Sequence, residues 1–132
     1  MIKKIFKDKE KVKSILKLVE EREKFIKSAA KFPTILAENY YEITKELSIA
    51  VLLSDGLKAI GENSHKEILD SLINYKFSSQ EIMILQDLRK RRNKSMYEGK
   101  QIEYVYLENK EEILKEIIMK LKIIINKKLC IK

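Results

Sequence analysis

Residues that break helices are scarce in this chain: its 132 residues include 3 glycines and 1 proline. Short strands joined by tight turns draw heavily on both residues, so their scarcity favours long helices with brief connections. The side chains repeat with the matching period. Val12, Ile15, Leu16, Val19, Arg22, Phe25 and Ile26 advance in steps of three and four, which predicts a helix from Asp8 to Lys31. Pro33 interrupts it and suits the first turn of a second helix, running to about Lys58. The stripe Leu36, Tyr40, Ile43, Leu47, Ala50, Ser54 and Leu57, widened by Ile35, Ile49 and Leu53, predicts that this second helix is central.

Three later helices follow from start and stop signals. Gly56 and Gly61 mark a turn. Ser64 with Glu67 matches a capping box and opens a helix ending near Tyr75. Ser78 with Glu81 repeats the box and opens a fourth helix, which Gly99 ends. A connection from Lys100 to Glu108 leads to a third such start, Asn109 with Glu112. The fifth helix then buries Ile113, Ile117, Leu121 and Ile124, with Leu114, Ile118 and Ile125 beside them. Tyr104-Val105-Tyr106-Leu107 has the composition of a strand, but no second strand is available to pair with it. With no repeat and no linker, residues 1–132 read as one all-α domain, an up-and-down bundle of about five helices.

Composition narrows the setting. Hydrophobic residues make up 45%, enough to drive burial alongside 36% charged residues. Cys130 is the only cysteine, so no internal disulfide can form, which fits a reducing, cytoplasmic setting. No apolar run approaches the roughly 18 residues that span a bilayer, and Met1 to Asp8 lacks the apolar stretch of a signal peptide. The net charge is +8, from 28 basic and 20 acidic residues, which makes RNA, DNA or nucleotide phosphates plausible partners.

The most informative stretch is Leu88-Arg89-Lys90-Arg91-Arg92-Asn93-Lys94-Ser95-Met96-Tyr97-Glu98-Gly99. Leu85, Leu88 and Arg92 share one helical face at i, i+3 and i+7, so Arg92 continues the core stripe. An arginine there must be paired or must line a cleft or interface. One outcome is a salt bridge to a carboxylate of the second helix, Glu42 or Glu46. The other is a phosphate site, for which the planar guanidinium fork is suited, with Asn93 and Tyr97 adding an amide and a phenol. Arg89, Arg91 and Lys94 would surround it with positive charge. His65, the single histidine, follows Ser64 and belongs at the surface of a helix start. No His/Cys cluster suggests a metal, no glycine-rich loop suggests a bound nucleotide cofactor, and no cofactor is expected.

In these features the chain resembles the HEPN domain family. That family carries an arginine, often followed by asparagine, and a histidine after four to six intervening residues, late in a helical bundle. Here Arg92-Asn93 stands at that place, and Tyr97 occupies the histidine's position. Tyr40-Tyr41, Lys45-Glu46-Leu47 leading to Ala50, Asp55-Gly56 and Ser64-His65 resemble the earlier helices of the family in order and spacing, so the likeness spans roughly residues 10 to 128. The resemblance implies a homodimer acting with RNA or a nucleotide, often as the toxin-like partner of a minimal nucleotidyltransferase. In ribonucleases of the family, cleavage is metal-independent: a ribose 2′-hydroxyl attacks the neighbouring phosphate. Carried over, Arg92 would stabilise the developing charge, and Tyr97 would stand in for the histidine as a catalytic group. A phenol with a pKa of about 10 is a poor base. The alternative is therefore a non-catalytic helical module for dimerisation or docking, and a third reading is nonspecific nucleic-acid binding through surface lysines.

Overall fold

The computed structural model describes residues 1–130. Five α-helices carry the fold: α1 (Lys9–Ser28), α2 (Pro33–Ser54), α3 (Ser64–Asp70), α4 (Ser79–Glu98) and α5 (Tyr104–Cys130). A short 3₁₀ segment, Ser71–Tyr75, prolongs α3. Two three-residue strands, β1 (Ile2–Lys4) and β2 (Leu57–Ala59), pair antiparallel with Ile2 opposite Ala59. The expected all-α bundle is thus found, with a minimal sheet added. Among the described residues no helix is long and apolar enough to cross a membrane.

Local chemistry sets the helix ends. The Asp8 carboxylate accepts from the Lys11 N–H at 3.0 Å and caps α1. Pro33 begins α2, where its missing N–H costs nothing. The predicted capping box of α4 is complete: Ser78 Oγ accepts from the Glu81 N–H at 3.1 Å, and Glu81 accepts from the Ser78 N–H at 2.9 Å. Gly99, at φ +66°, ends α4 in the left-handed region.

Two predicted starts differ. α3 has Asn63 as its N-cap and no capping box, because the helix starts one residue early, which makes Lys66 and not Glu67 the N3 residue; the Glu67 carboxylate is engaged by the Met1 amino group. α5 begins at Tyr104 rather than Asn109. Tyr106 and Leu107 are buried and extend backward the stripe of Leu114, Ile118, Leu121 and Ile125, whereas Asn109 and Glu112 are exposed on the outer flank. The strand-like tetrapeptide is therefore the first turn of a helix. The predicted second helix also stops four residues early, and Leu57 turns instead into β2.

α2 is the central element and packs against α1, α3, α4 and α5. Its fully buried Tyr40, Tyr41, Ile43 and Leu47 meet Leu69 and Leu72, Leu85 and Leu88, and Leu114, Ile117 and Leu121 from the surrounding elements. Each such aliphatic side chain contributes about 1.5–3 kcal/mol on burial. The Tyr40 hydroxyl donates to Glu111 at 2.7 Å, clasping α2 to α5. Thr34 accepts from the Ile102 N–H at 2.9 Å and ties the α4–α5 connection to the start of α2.

Candidate functional site

Arg92 emerges where the apolar stripe of α4 ends. Its Nη2 donates to Glu42 of α2 at 2.8 Å, so the carboxylate expected from sequence is its partner. Glu42 also accepts from Lys45 at 2.7 Å, one turn along the same helix. Glu46 is taken by Arg22 of α1. Beneath these groups lies the Tyr41 ring, with the Arg92 guanidinium 5.2 Å and the Lys45 ammonium 5.8 Å from its centre, both within cation–π range. One aromatic face and one carboxylate therefore fix the aim of two cations.

Arg89 completes the group. Its Nε donates to Gln86 at 2.7 Å, and the Gln86 amide in turn donates to the Lys66 carbonyl at 2.9 Å and to Asp70 at 2.8 Å, both on α3. The guanidinium is thereby oriented by a neutral partner. Burial is substantial, with Arg92, Lys45, Glu42 and Glu46 side chains all below one fifth exposed. Interactions here are screened far less than those of the open surface.

The titration behaviour follows from the charge arrangement. Burial pushes the Glu42 carboxyl up, but the Lys45 hydrogen bond and the Lys45, Arg92 and Arg22 charges outweigh it and hold it below the usual range. Burial dominates at Glu46 and raises it despite Arg22, and its Oε2 is buried without a hydrogen-bond partner. Burial pushes the Tyr41 phenol up to about 12, and its hydroxyl too has no partner. His65 is held below the ordinary imidazole value by burial, then by Lys45 and Arg92, with Glu42 opposing and Arg89 adding to the fall.

The sequence-predicted residues divide between flanks. Arg89, Arg92 and Asn93 belong to the cluster; Asn93 Oδ1 lies 3.5 Å from Arg92 Nη1, the outer limit of a hydrogen bond. Arg91 points away: it pairs with Asp87 at 2.8 Å and covers the Tyr106 ring at 4.5 Å. Lys94 borders a different depression, with Lys90, Lys100 and Gln101. Tyr97 is 78% exposed, about 140° around the helix from Arg92, and its hydroxyl makes no hydrogen bond among the described residues. A helix that gives consecutive residues different faces cannot bring all six to one point.

Sequence reasoning missed Arg22, Tyr41, Lys45, Gln86 and Ser95, whose hydroxyl donates to Glu38 at 2.7 Å. Of these, Tyr41 and Lys45 carried a signal, falling one before and three after Glu42 on the helix already chosen as Arg92's partner. His65 is exposed at a helix start, as expected, yet stands within the electrostatic reach of the cluster. Among the described residues no three His, Cys, Asp or Glu side chains are grouped to hold a metal ion. Set against family models, curated proteins and solved structures, the chain finds no match in any of the three.

Proposed function

We propose that this chain is a HEPN-type helical module that binds the phosphates of RNA or of a nucleotide at the face shared by α2 and α4. One observation carries the reading. Lys45 and Arg92, two oriented and largely buried cations, share a single carboxylate, Glu42, because Glu46 is already held by Arg22, and Arg89 adds a third positive charge oriented by the neutral Gln86. A purely structural network would balance its charges; this one leaves a local positive excess that an anion would neutralise. Arg89 supports it further, since its two terminal nitrogens have no hydrogen-bond partner among the described residues.

The wider reading rests on the resemblance: a homodimer, and a minimal nucleotidyltransferase as the partner of a toxin-like protein. The position of Tyr97, exposed and apart from Arg92, favours a second reading in which the module binds and docks without cleaving.

The test is anisotropy of a short fluorescein-labelled single-stranded RNA across a salt series. Arg89→Ala should weaken binding and lower the slope of log K against log salt by about 0.7, the share of one phosphate on a single strand. Arg91→Ala, on the opposite flank, should leave both nearly unchanged. Equal losses in the two variants would instead assign binding to the diffuse basic surface. Incubating the RNA with wild type and Arg92→Ala in chelator reads cleavage separately: strand scission by wild type alone would make the module a nuclease.

A further inference from the structure

β2 has no part in the cation cluster, yet with Ile5, just after β1, it walls a cavity of about 190 Å³. Aliphatic side chains from α2, β2 and α3 line its floor, among them Ile49, Leu53, Leu57 and Ile68. Three basic residues, Lys11, Lys58 and His65, also line it, and no carboxylate does. Among the described residues neither Lys11 nor Lys58 has an ion-pair partner.

We infer that this cavity binds a small apolar carboxylate of the medium-chain acyl type. Size is the first constraint. Pockets for drug-sized ligands hold about 300–1,000 Å³, so this one takes something smaller. The floor is the second: an apolar lining would strip water from a polyphosphate or a sugar without returning hydrogen bonds, whereas an alkyl chain loses nothing there. Charge is the third, since a lining with basic residues and no carboxylate favours an anionic head and disfavours an ammonium. An alkyl chain on the Ile49–Ile68 floor with its carboxylate toward Lys11 and Lys58 satisfies all three. This inference does not depend on the phosphate reading, because the lining residues and the charges are different ones apart from the nearby His65.

The experiment is isothermal titration calorimetry of the full chain with butanoate, hexanoate and octanoate, and with octylamine as the charge-reversed probe. Affinity should rise about threefold to fourfold for each added methylene. Octylamine should bind on the order of tenfold more weakly than octanoate. The double variant Lys11→Gln/Lys58→Gln, altered only at exposed positions, should weaken octanoate about fivefold, and Ala59→Leu, which fills the cavity, should remove binding. The inference is overturned by octylamine matching octanoate, by an affinity unmoved in the lysine variant, by octanoate binding retained in a folded Ala59→Leu protein, or by no saturable octanoate binding at all.

Discussion

Glu42→Gln separates the structural and the binding roles of the cluster, because the two should respond with opposite signs. Glu42 makes charge-assisted hydrogen bonds to Arg92 at 2.8 Å and Lys45 at 2.7 Å, with its side chain 19% exposed. A hydrogen bond to a charged group contributes about 1.5–3 kcal/mol when buried. The amide keeps part of the geometry and solvent screens the rest, so the net loss should be about 2 kcal/mol. For 132 residues the unfolding entropy is about 0.28 kcal/mol per kelvin, which converts this to a fall in Tm of about 7 °C. Binding should move the other way. A carboxylate about 6 Å from a bound phosphate repels it by about 3 kcal/mol at an effective dielectric of about 20. Screening reduces this to about 1 kcal/mol, or roughly a fivefold tightening for RNA at low salt.

The acid limb provides a control on the same variant. The folded-state pKa of Glu42 is lowered, so its contribution is present above the unfolded value, about 4.3, and is lost as pH falls through the folded one. Glu42→Gln should therefore flatten the loss of stability below about pH 4. Thermal melts by circular dichroism and RNA anisotropy read the two arms. If the melt drops and RNA affinity stays level or weakens, Arg92 and Lys45 are structural cations and the phosphate reading fails.

Three further outcomes are expected. Gly56→Ala should cost at least about 2 kcal/mol and Gly99→Ala about 1 kcal/mol; both pay left-handed backbone strain, but only at Gly56 would a Cβ stand 2.7 Å from a backbone oxygen, that of Ile5, and equal losses in urea melts would refute that contact. Tyr97→Phe should change RNA affinity by less than about twofold, since the phenol faces solvent, and a larger loss would place it in the site. His65 should titrate by NMR below about 6.5, and Lys45→Gln should raise its midpoint; a normal midpoint that ignores Lys45→Gln would mean that the imidazole does not sense the cluster.

What the sequence disclosed, and what it hid, divides along the range of the interactions involved. Signals that act within one turn were readable: Asp8, Pro33, Ser78 with Glu81, and Gly99 all stand where the helices begin or end. Asn109 with Glu112 misled, because a polar pair three apart also occurs on any exposed helix flank, and the buried Tyr106 and Leu107 decided the start instead. The strands were invisible, being three residues long and paired across more than fifty positions. Arg92 announced a carboxylate partner by its place on an apolar stripe. The angular spread of Arg91, Lys94 and Tyr97 was also present in the helical period, although the compact motif made them look like one site. The approach of His65 to Lys45 and Arg92 depends on how α3 lies against α2 and α4, which no local pattern encodes.

The position of Gln86 has a thermodynamic consequence. Its one amide holds the Lys66 carbonyl and Asp70 on α3 while its oxygen holds Arg89. α3 also contributes His65 and Ile68 to the cavity beside β2. A ligand that shifted α3 would act on the guanidinium through Gln86, and an anion that drew on the guanidinium would act on α3. Linkage requires the exchange to be symmetric: whatever factor octanoate applies to the affinity for RNA, RNA must apply to the affinity for octanoate. In Gln86→Ala that factor should fall toward one with each ligand still binding alone; a factor of one already in wild type would show that the two sites do not communicate.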